Sequence, residues 1–350
     1  MARIKLVTVV GARPQFIKAF PLSRALKAAG QFEEILVHTG QHFDEAMSDV
    51  FFSELEMDEP RYRFSVQSGN HGAMTAEMLS AVEGVLLRER PRAAIVFGDT
   101  NSTLAGALAA AKLQIPLVHV EAGLRSFNRD MPEEINRVVA DHLSALLLCP
   151  TAQAIRNLSR EGIERGVHRT GDLMYDATLL ATPVAERHSD ALSRLGLENK
   201  GYCVATLHRA ANTGDAQSLA GAIDYIEQAA RERPVVLALH PRTRKALERF
   251  GIEAGRKGVI VTPPLGYLDM TKLVHHAALV LTDSGGLQKE AYFHRVPCIT
   301  LRDETEWTEL VEAGWNRLWR GDDFRPRREI ADYGGGDAAG EIAGLLAREL

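Results

Sequence analysis

The stretch "LVLTDSGGLQKEAYFHRVPCITL", Leu279 to Leu301, decides how the chain is read. An apolar run ends in Thr282-Asp283, Ser284-Gly285-Gly286 turn the backbone, a helical segment follows, and "VPCITL" opens a second buried run. Strand, glycine turn, helix and strand in that order form the repeating unit of a parallel sheet covered by helices. Glycines allow an anion to approach the backbone, and the N–H groups and dipole of a helix start favour a phosphate. Glu290, two turns into the helix, is placed to accept hydrogen bonds from ribose hydroxyls. Ser-Gly-Gly alone is an ordinary helix cap, but inside this frame it points to a nucleotide diphosphate.

The same alternation extends in both directions. Strands are expected at Ile4–Val10, Ile35–Thr39, Ala93–Phe97, Leu117–Val120 and Ala145–Cys149, then at Tyr202–Thr206, Val235–Leu239, Val259–Thr262, Leu279–Thr282 and Cys298–Leu301. Near-continuous Val/Ile/Leu runs separated by helical patterns predict an α/β protein whose parallel sheets are covered on both faces. With 350 residues the chain is expected to form two domains. Residues 1–180 make the first and 181–336 the second, with polar Pro183–Lys200 as connecting segment. The last helix, 337–350, follows a glycine turn and is expected to pack back on the first domain. Ligands of such sheets bind beyond the carboxyl ends of the strands. Two facing domains would bring both sets of loops into one cleft.

Composition narrows the classes of function. A net charge of −5 argues against a general nucleic-acid binder. No apolar run approaches the roughly 20 residues that span a bilayer, and the quickly structured start does not resemble a signal peptide. Cys149, Cys203 and Cys298 lie in or beside apolar runs, as reduced core thiols of a cytoplasmic protein would.

Chemistry-bearing residues collect after the strands. "GARPQFIK" puts Gly11 at a tight exit, Pro14 at a helix start, and Arg13 and Lys18 near that helix's N-terminus, where a phosphate or plain solvent would suit them equally. "FGDTNSTLAGAL" brings out Asp99 after Gly98, with Ser102 as the expected cap of the next helix. "HVEAGLRSFNRDMPEEINR" places Glu121 at a strand end and Glu133, Glu134 and Arg137 at a helix opening. Acids there complement the helix dipole, yet carboxylates on two neighbouring loops also suit acid/base work, since like charges raise each other's pKa. In the second half, His208 and Arg209 follow one strand ("TLHRAAN") and His240, Arg242 and Arg244 another ("LHPRTR").

Other motifs are lacking. No G-x-G-x-x-G follows the first strand, so no nicotinamide cofactor is expected, and there is no Walker A sequence. "GGGDAAG" has no preceding strand and reads as a helix cap. His38 and His42 lie on a strand and turn, His275 and His276 on a helix flank, and no catalytic metal is expected.

Taken in order, "GARPQFIKAFPL", "HTGQH", "GDTNSTLAGALAAAKLQIPLVHVEAGLRSF", "MPEEINR", "LHRAAN", "LHPRTR", "TDSGGLQKEAYFHRVPC" and "LRDETEWTEL" closely resemble the non-hydrolysing UDP-N-acetylglucosamine 2-epimerases. The resemblance implies a GT-B architecture, two Rossmann-like domains with an interdomain cleft, commonly in a homodimer. It implies a UDP-sugar substrate and no cofactor. The C2 hydrogen of the sugar is barely acidic, so family members break the C1–O bond as the C2 proton leaves. UDP departs, 2-acetamidoglucal forms, and UDP adds back after the opposite face is protonated. Carried over, Asp99, Glu121 and Glu133 surround the sugar as acid/base groups or charge stabilisers, and His208 assists departure of the diphosphate. Arg13, Lys18, Ser284, Gly285, Gly286 and Glu290 correspond to nucleotide-site residues, with Arg137 and His240 as further candidates. Glu134 is expected to be structural.

The chain also departs from the common pattern. Ala12 and Gln15 stand where many members have Thr and Glu, and Ala211 where many have Glu. Phe43 and Asp44, after Gln41-His42, do not match members that bind a second, activating sugar nucleotide. Those departures resemble a sister group acting on UDP-2,3-diacetamido-2,3-dideoxyglucuronic acid, whose C6 carboxylate calls for an added cation such as Arg129, Arg209 or Arg242. A hydrolysing epimerase, a GT-B glycosyltransferase and a non-catalytic sugar-nucleotide sensor are the remaining alternatives.

Overall fold

The protein is described by a computed structural model covering residues 3–41, 57–66, 69–256 and 258–350. Its contacts separate two compact units, Met1–Ala177 with Ala331–Leu350, and Thr178–Ile330.

In the first unit, β1 (Ile4–Val10), β2 (Phe32–His38), β3 (Tyr62–Arg63), β4 (Ala93–Phe97), β5 (Leu117–Val120), β6 (Leu146–Cys149) and β7 (Val167–Arg169) form one sheet. Its order is β3-β2-β1-β4-β5-β6-β7, parallel throughout. Helices α1 (Arg13–Ala29), α2 (His71–Glu89), α3 (Asn101–Lys112), α4 (Pro132–Leu143) and α5 (Ala152–Arg160) connect the strands. The division between units falls within α6 (Leu173–His188), which continues through Pro183; with α7 (Ala191–Arg194) it makes much of the stretch expected as a linker helical.

The second unit repeats the plan. Strands β8 (Cys203–Leu207), β9 (Val235–Leu239), β10 (Val259–Thr262), β11 (Leu279–Thr282), β12 (Cys298–Thr300) and β13 (Asn316–Leu318) order as β10-β9-β8-β11-β12-β13, again all parallel. Its helices are α8 (Ala210–Thr213), α9 (Ala216–Ala229), α10 (Pro241–Phe250), α11 (Tyr267–His276), α12 (Gly285–Phe293) and α13 (Thr308–Glu312). Successive strand residues enter opposite cores: Cys203, Leu237, Leu281 and Ile299 pack on one face, Val204, Val236, Val280 and Cys298 on the other. Burial of each such Val or Leu contributes about 1.5–3 kcal/mol, which is why these strands read as unbroken apolar runs. All three cysteines are buried and unbridged. The last helix, α14 (Ala338–Glu349), packs against α1.

The strands that sequence did not reveal, β3, β7 and β13, are sheet edges with partly exposed residues. An edge strand has one neighbour and needs no continuous apolar run.

In each sheet the connections run outward from one central pair, β1/β4 in the first and β8/β11 in the second. Loops leaving such a pair diverge to opposite faces and open a crevice at the carboxyl ends. Arg13, Lys18 and Asp99 follow the first pair; His208, Asp283 and Ser284 follow the second.

Candidate active site

At the first switch point every carbonyl of the turn carrying Asp99 is held by a buried side chain. Gln15 Nε2 donates to Phe97 O at 2.8 Å, joined by Thr103 Oγ1 at 2.6 Å. His119 Nε2 lies 2.7 Å from Gly98 O, and Asn136 Nδ2 donates to Asp99 O at 2.9 Å. The other end of Gln15, Oε1, accepts from the backbone N–H groups of Gly11 and Ala12. This residue, a departure from the family's usual Glu, uses an amide donor that an ionised carboxylate lacks. Gly98 has φ of +58°, and a Cβ there would lie 3.2 Å from Glu121 Oε2. Helix α3 is capped by Thr100, which accepts from Thr103 N; Ser102, the expected cap, is buried against Thr39 and Gln41 instead.

Asp99 and Glu121 leave the adjacent strands β4 and β5. Each has its own cation: Arg137 Nη2 is 2.5 Å from Asp99 Oδ2, and Lys18 Nζ pairs with Glu121 Oε2. Burial pushes the Asp99 carboxyl above the ordinary aspartate value; Arg137 and Lys18 pull against this and the Glu121 charge adds to it, with the upward push winning. Glu121 takes φ of +67°, a left-handed conformation costing a non-glycine residue about 1–2 kcal/mol. Hydrogen bonds from Glu121 N and Ala122 N to Leu148 O hold it there. Such strain, fixed by its surroundings, concentrates at functional sites. Lys18 and Glu121 open onto a small pocket whose far wall is Thr170–Leu173.

The neighbouring glutamates divide sharply. Glu134 is buried and accepts from Ser126 N, Ser126 Oγ, Phe127 N and Arg137 Nη1 at 2.9–3.0 Å, which makes it the clamp of the 121–131 loop. Glu133, one residue earlier, is exposed in the first turn of α4 and makes no hydrogen bond or ion pair among the described residues. Arg137 bridges Glu134 and Asp99. Arg13 lies in the first turn of α1, partly buried.

Sequence gave no signal for the ionic group beneath these acids. His119, fully buried in β5, places Nδ1 2.6 Å from Asp141 Oδ1. Asp141 also accepts from Gly123 N and, at 2.6 Å, from Arg125, which forms a two-pronged pair with Glu161. Burial alone would raise the Asp141 carboxyl, but His119 and Arg125 outweigh it and hold the group below the usual range.

At the second switch point the central group is Asp283, quoted in the opening motif but assigned no role there. It is fully buried and accepts from His208 N, Arg209 N and Asn212 Nδ2 at 2.8–3.1 Å. His208 Nδ1 lies 3.1 Å from Asp283 Oδ1. Burial pushes the Asp283 carboxyl up; the bonds from His208, Arg209 and Asn212 win and keep it ionised. The ring of His208 is therefore oriented by an anion, with Nε2 on its free side. His240, the N-cap of α10, stacks 5.5 Å from His208. Ser284 caps α12 through Leu287 N, with Gly285 and Gly286 in the first turn and Glu290 partly buried in the second. A Cβ on Gly285 would lie 2.5 Å from Glu306 Oε1, so a larger residue there would displace the Glu306 carboxylate. Glu306 in turn pairs with Arg302 and Arg209, and the buried Trp307 Nε1 beside Gly285 has no hydrogen-bond partner among the described residues.

A match to the UDP-N-acetylglucosamine 2-epimerase family extends over residues 24–333, which takes in the second switch point, Asp99 and Glu121 but not β1 or the start of α1 with Arg13 and Lys18. The chain belongs to that family. A Methanococcus maripaludis protein described as a UDP-N-acetylglucosamine 2-epimerase homolog is 49% identical over 320 residues, 90% of this chain and 88% of its own. The UDP-2,3-diacetamido-2,3-dideoxy-D-glucuronate 2-epimerase of Pseudomonas aeruginosa is 46% identical, covering 99% of this chain and 100% of its own. The fold is likewise that of solved family members. The UDP-GlcNAc 2-epimerase of Methanocaldococcus jannaschii, in complex with UDP-GlcNAc and UDP, superposes with a TM-score of 0.90 at 40% identity, covering 98% of this chain and 99% of that one. Both sheets and their connections are therefore those of the GT-B-like epimerases.

His42, Phe43 and Asp44, on which the reading of a second sugar-nucleotide site rests, lie outside the described residues. Among the described residues, Glu186, His275 and His276 bring three possible metal ligands within 4.8 Å of one another. Glu186 already pairs with His276 at 2.7 Å and approaches Lys272 at 3.7 Å.

Proposed function

We propose that this chain is a non-hydrolysing 2-epimerase that interconverts UDP-N-acetylglucosamine and UDP-N-acetylmannosamine. The observation that carries the reading is the Asp99–Glu121 pair: two carboxylates at neighbouring strand ends, each with a buried cation, one pushed toward its protonated form. Acid/base partners are made by environments that separate two like groups in this way. One carboxylate takes the C2 proton, the C–H electron pair becomes the C1=C2 bond, and the C1–O pair leaves with UDP. A proton then enters the opposite face of C2, and a diphosphate oxygen returns to C1. Glu133 joins the two acids in steadying positive charge at C1. His208, oriented by Asp283, serves the departing diphosphate. Arg13, Ser284, Gly285, Gly286, Glu290 and His240 serve the nucleotide, while Lys18 and Arg137 tune the acids. No cofactor enters the reaction. The acting species in this reading is a cytoplasmic homodimer, checked by light scattering; no described helix is long and apolar enough to cross a membrane.

One relative supports a second reading on substrate. The diacetamido-glucuronate epimerase aligns over almost the whole chain, and Arg209 and Arg242 lie beside His208 as cations for a uronate. Incubation of each UDP-sugar in deuterated water separates the possibilities. Deuterium at C2 of the N-acetyl sugar, together with manno product, is expected; exchange confined to the diacetamido-uronate moves the assignment to that substrate. Release of free N-acetylmannosamine with UDP marks a hydrolysing enzyme. Absence of exchange in both removes epimerisation.

A further inference from the structure

His119 and Asp141 join the two acid-bearing turns through one ring and one carboxylate. The ring sits in β5 with no exposure, Nε2 against Gly98 O at 2.7 Å and Nδ1 against Asp141 Oδ1 at 2.6 Å. Both partners are acceptors, because the first is a carbonyl and the second a carboxylate held ionised by His119 and Arg125 against its burial. Gly98 is bonded directly to Asp99 in the chain. On the other side Asp141 Oδ2 accepts from Gly123 N at 3.1 Å, two residues after Glu121, and from Arg125 Nη1 at 2.6 Å. Glycine at 123 is required, since its φ is +79° and a Cβ would lie 2.5 Å from Ala154 O. Neither turn has slack, and the bridge spans between them.

We propose that His119 and Asp141 are positioning residues that set the separation of Asp99 and Glu121 without touching substrate. Side chains that fix reacting groups within fractions of an ångström govern turnover more than binding. The inference rests on the reading of Asp99 and Glu121 as the acid/base pair.

Two variants divide the bridge. Asparagine carries a donor near the position of Nδ1, so His119→Asn retains a bond to Asp141 and releases Gly98 O. Glutamine reaches toward the position of Nε2, so His119→Gln retains the Gly98 contact and releases Asp141. Each is expected to lower kcat for C2 deuterium exchange at least 10-fold while KM and the Kd for UDP stay within two-fold. Urea unfolding should remain cooperative. A kcat within two-fold of wild type in both folded variants overturns the proposal. So does a loss of kcat matched by equal loss of UDP affinity, which marks a structural role. A crystal structure of the wild-type chain tests the geometry even where a variant fails to fold. Both His119 ring nitrogens should lie within hydrogen-bond distance of Gly98 O and Asp141 Oδ1, and a ring that misses either partner overturns the bridge. Wild-type protein without C2 exchange would instead remove the functional reading, with the crystal structure still deciding the bridge.

Discussion

The two switch points share one topology and solve opposite electrostatic problems. Beside β1, the exits of β4 and β5 carry the carboxylates Asp99 and Glu121, and the fold neutralises them with the long side chains Arg137 and Lys18. At β8/β11 the buried anion is Asp283, and the fold satisfies it with two backbone N–H groups, an amide and an imidazole. A cation opposes the upward push of burial without cancelling it, as at Asp99. A ring of N–H donors fixes its partner as an anion, as at Asp283. The first arrangement suits a group that must gain and lose a proton. The second suits one that orients a neighbour and never titrates.

The largest effect expected from breaking this contrast is at Glu121. Glu121→Gln keeps the shape and the hydrogen bond from Lys18 but removes the charge and the base. Turnover should fall by about 10³, within the range for loss of a positioned acid or base. UDP binding, which in this reading rests on Arg13 and on residues of the second unit but not on Glu121, should change less than two-fold by calorimetry. Turnover within five-fold of wild type would remove Glu121 from the chemistry.

A smaller loss is expected on the other side. Asp283→Asn deletes the anion that orients His208 while leaving an oxygen for the backbone N–H groups. The ring loses its fixed tautomer, and kcat should fall by about 10², at the lower edge of acid/base contributions. Unlike Glu121→Gln, this variant should slow release of UDP from the sugar rather than C2 exchange from a supplied glycal. Equal losses in both half-reactions would mean that Asp283 supports the unit as a whole.

How much of this could be read beforehand follows from the same physics. Strands buried on both faces need unbroken apolar runs, so β1, β4, β5, β9 and β11 were legible to the residue; β10, an edge strand with Val261 exposed, was legible only because its run is apolar all the same. Edge strands such as β13 carry no such demand and were not. Asp99, Glu121 and His208 could be singled out as candidates because a polar residue directly after such a run has few local explanations. His119 was hidden inside its run, since "LVHV" reads as strand whatever the histidine does. Its partner Asp141 sits 22 residues away on α4, at a spacing that no period links. Asp283 was visible but mute, because its donors come from the loop after β8 in another part of the chain. Glu133 and Glu134 looked alike in sequence, and only their opposite burial separates clamp from exposed acid.

The smallest expected effect sharpens the comparison by asking what a buried carboxylate costs with neither a cation nor a full set of donors. Asp176 is such a group: it is buried, Oδ2 accepts from Ala339 N at 2.7 Å at the start of α14, and Oδ1 has no hydrogen-bond partner among the described residues. Burial pushes its carboxyl from 3.8 up to about 6 against the pull of the Ala339 and Ala338 N–H groups. The folded value exceeds the unfolded one, so the folded chain holds this proton more tightly. Its ionisation penalty is absent below pH 4, grows as pH rises between about 4 and 6, and is complete above. Two pKa units correspond to about 3 kcal/mol. Asp176→Asn abolishes the ionisation, so the variant should be more stable than wild type at pH 8 and lose that advantage toward pH 4. The gain stays below the full 3 kcal/mol, because the new amide N–H group replaces an oxygen that already lacks a partner. Urea midpoints at pH 5 and pH 8 measure it. A wild type equally stable relative to the variant at both values would mean that Asp176 ionises without cost, and that donors from one helix start serve an anion as well as Lys18 or Arg137 does.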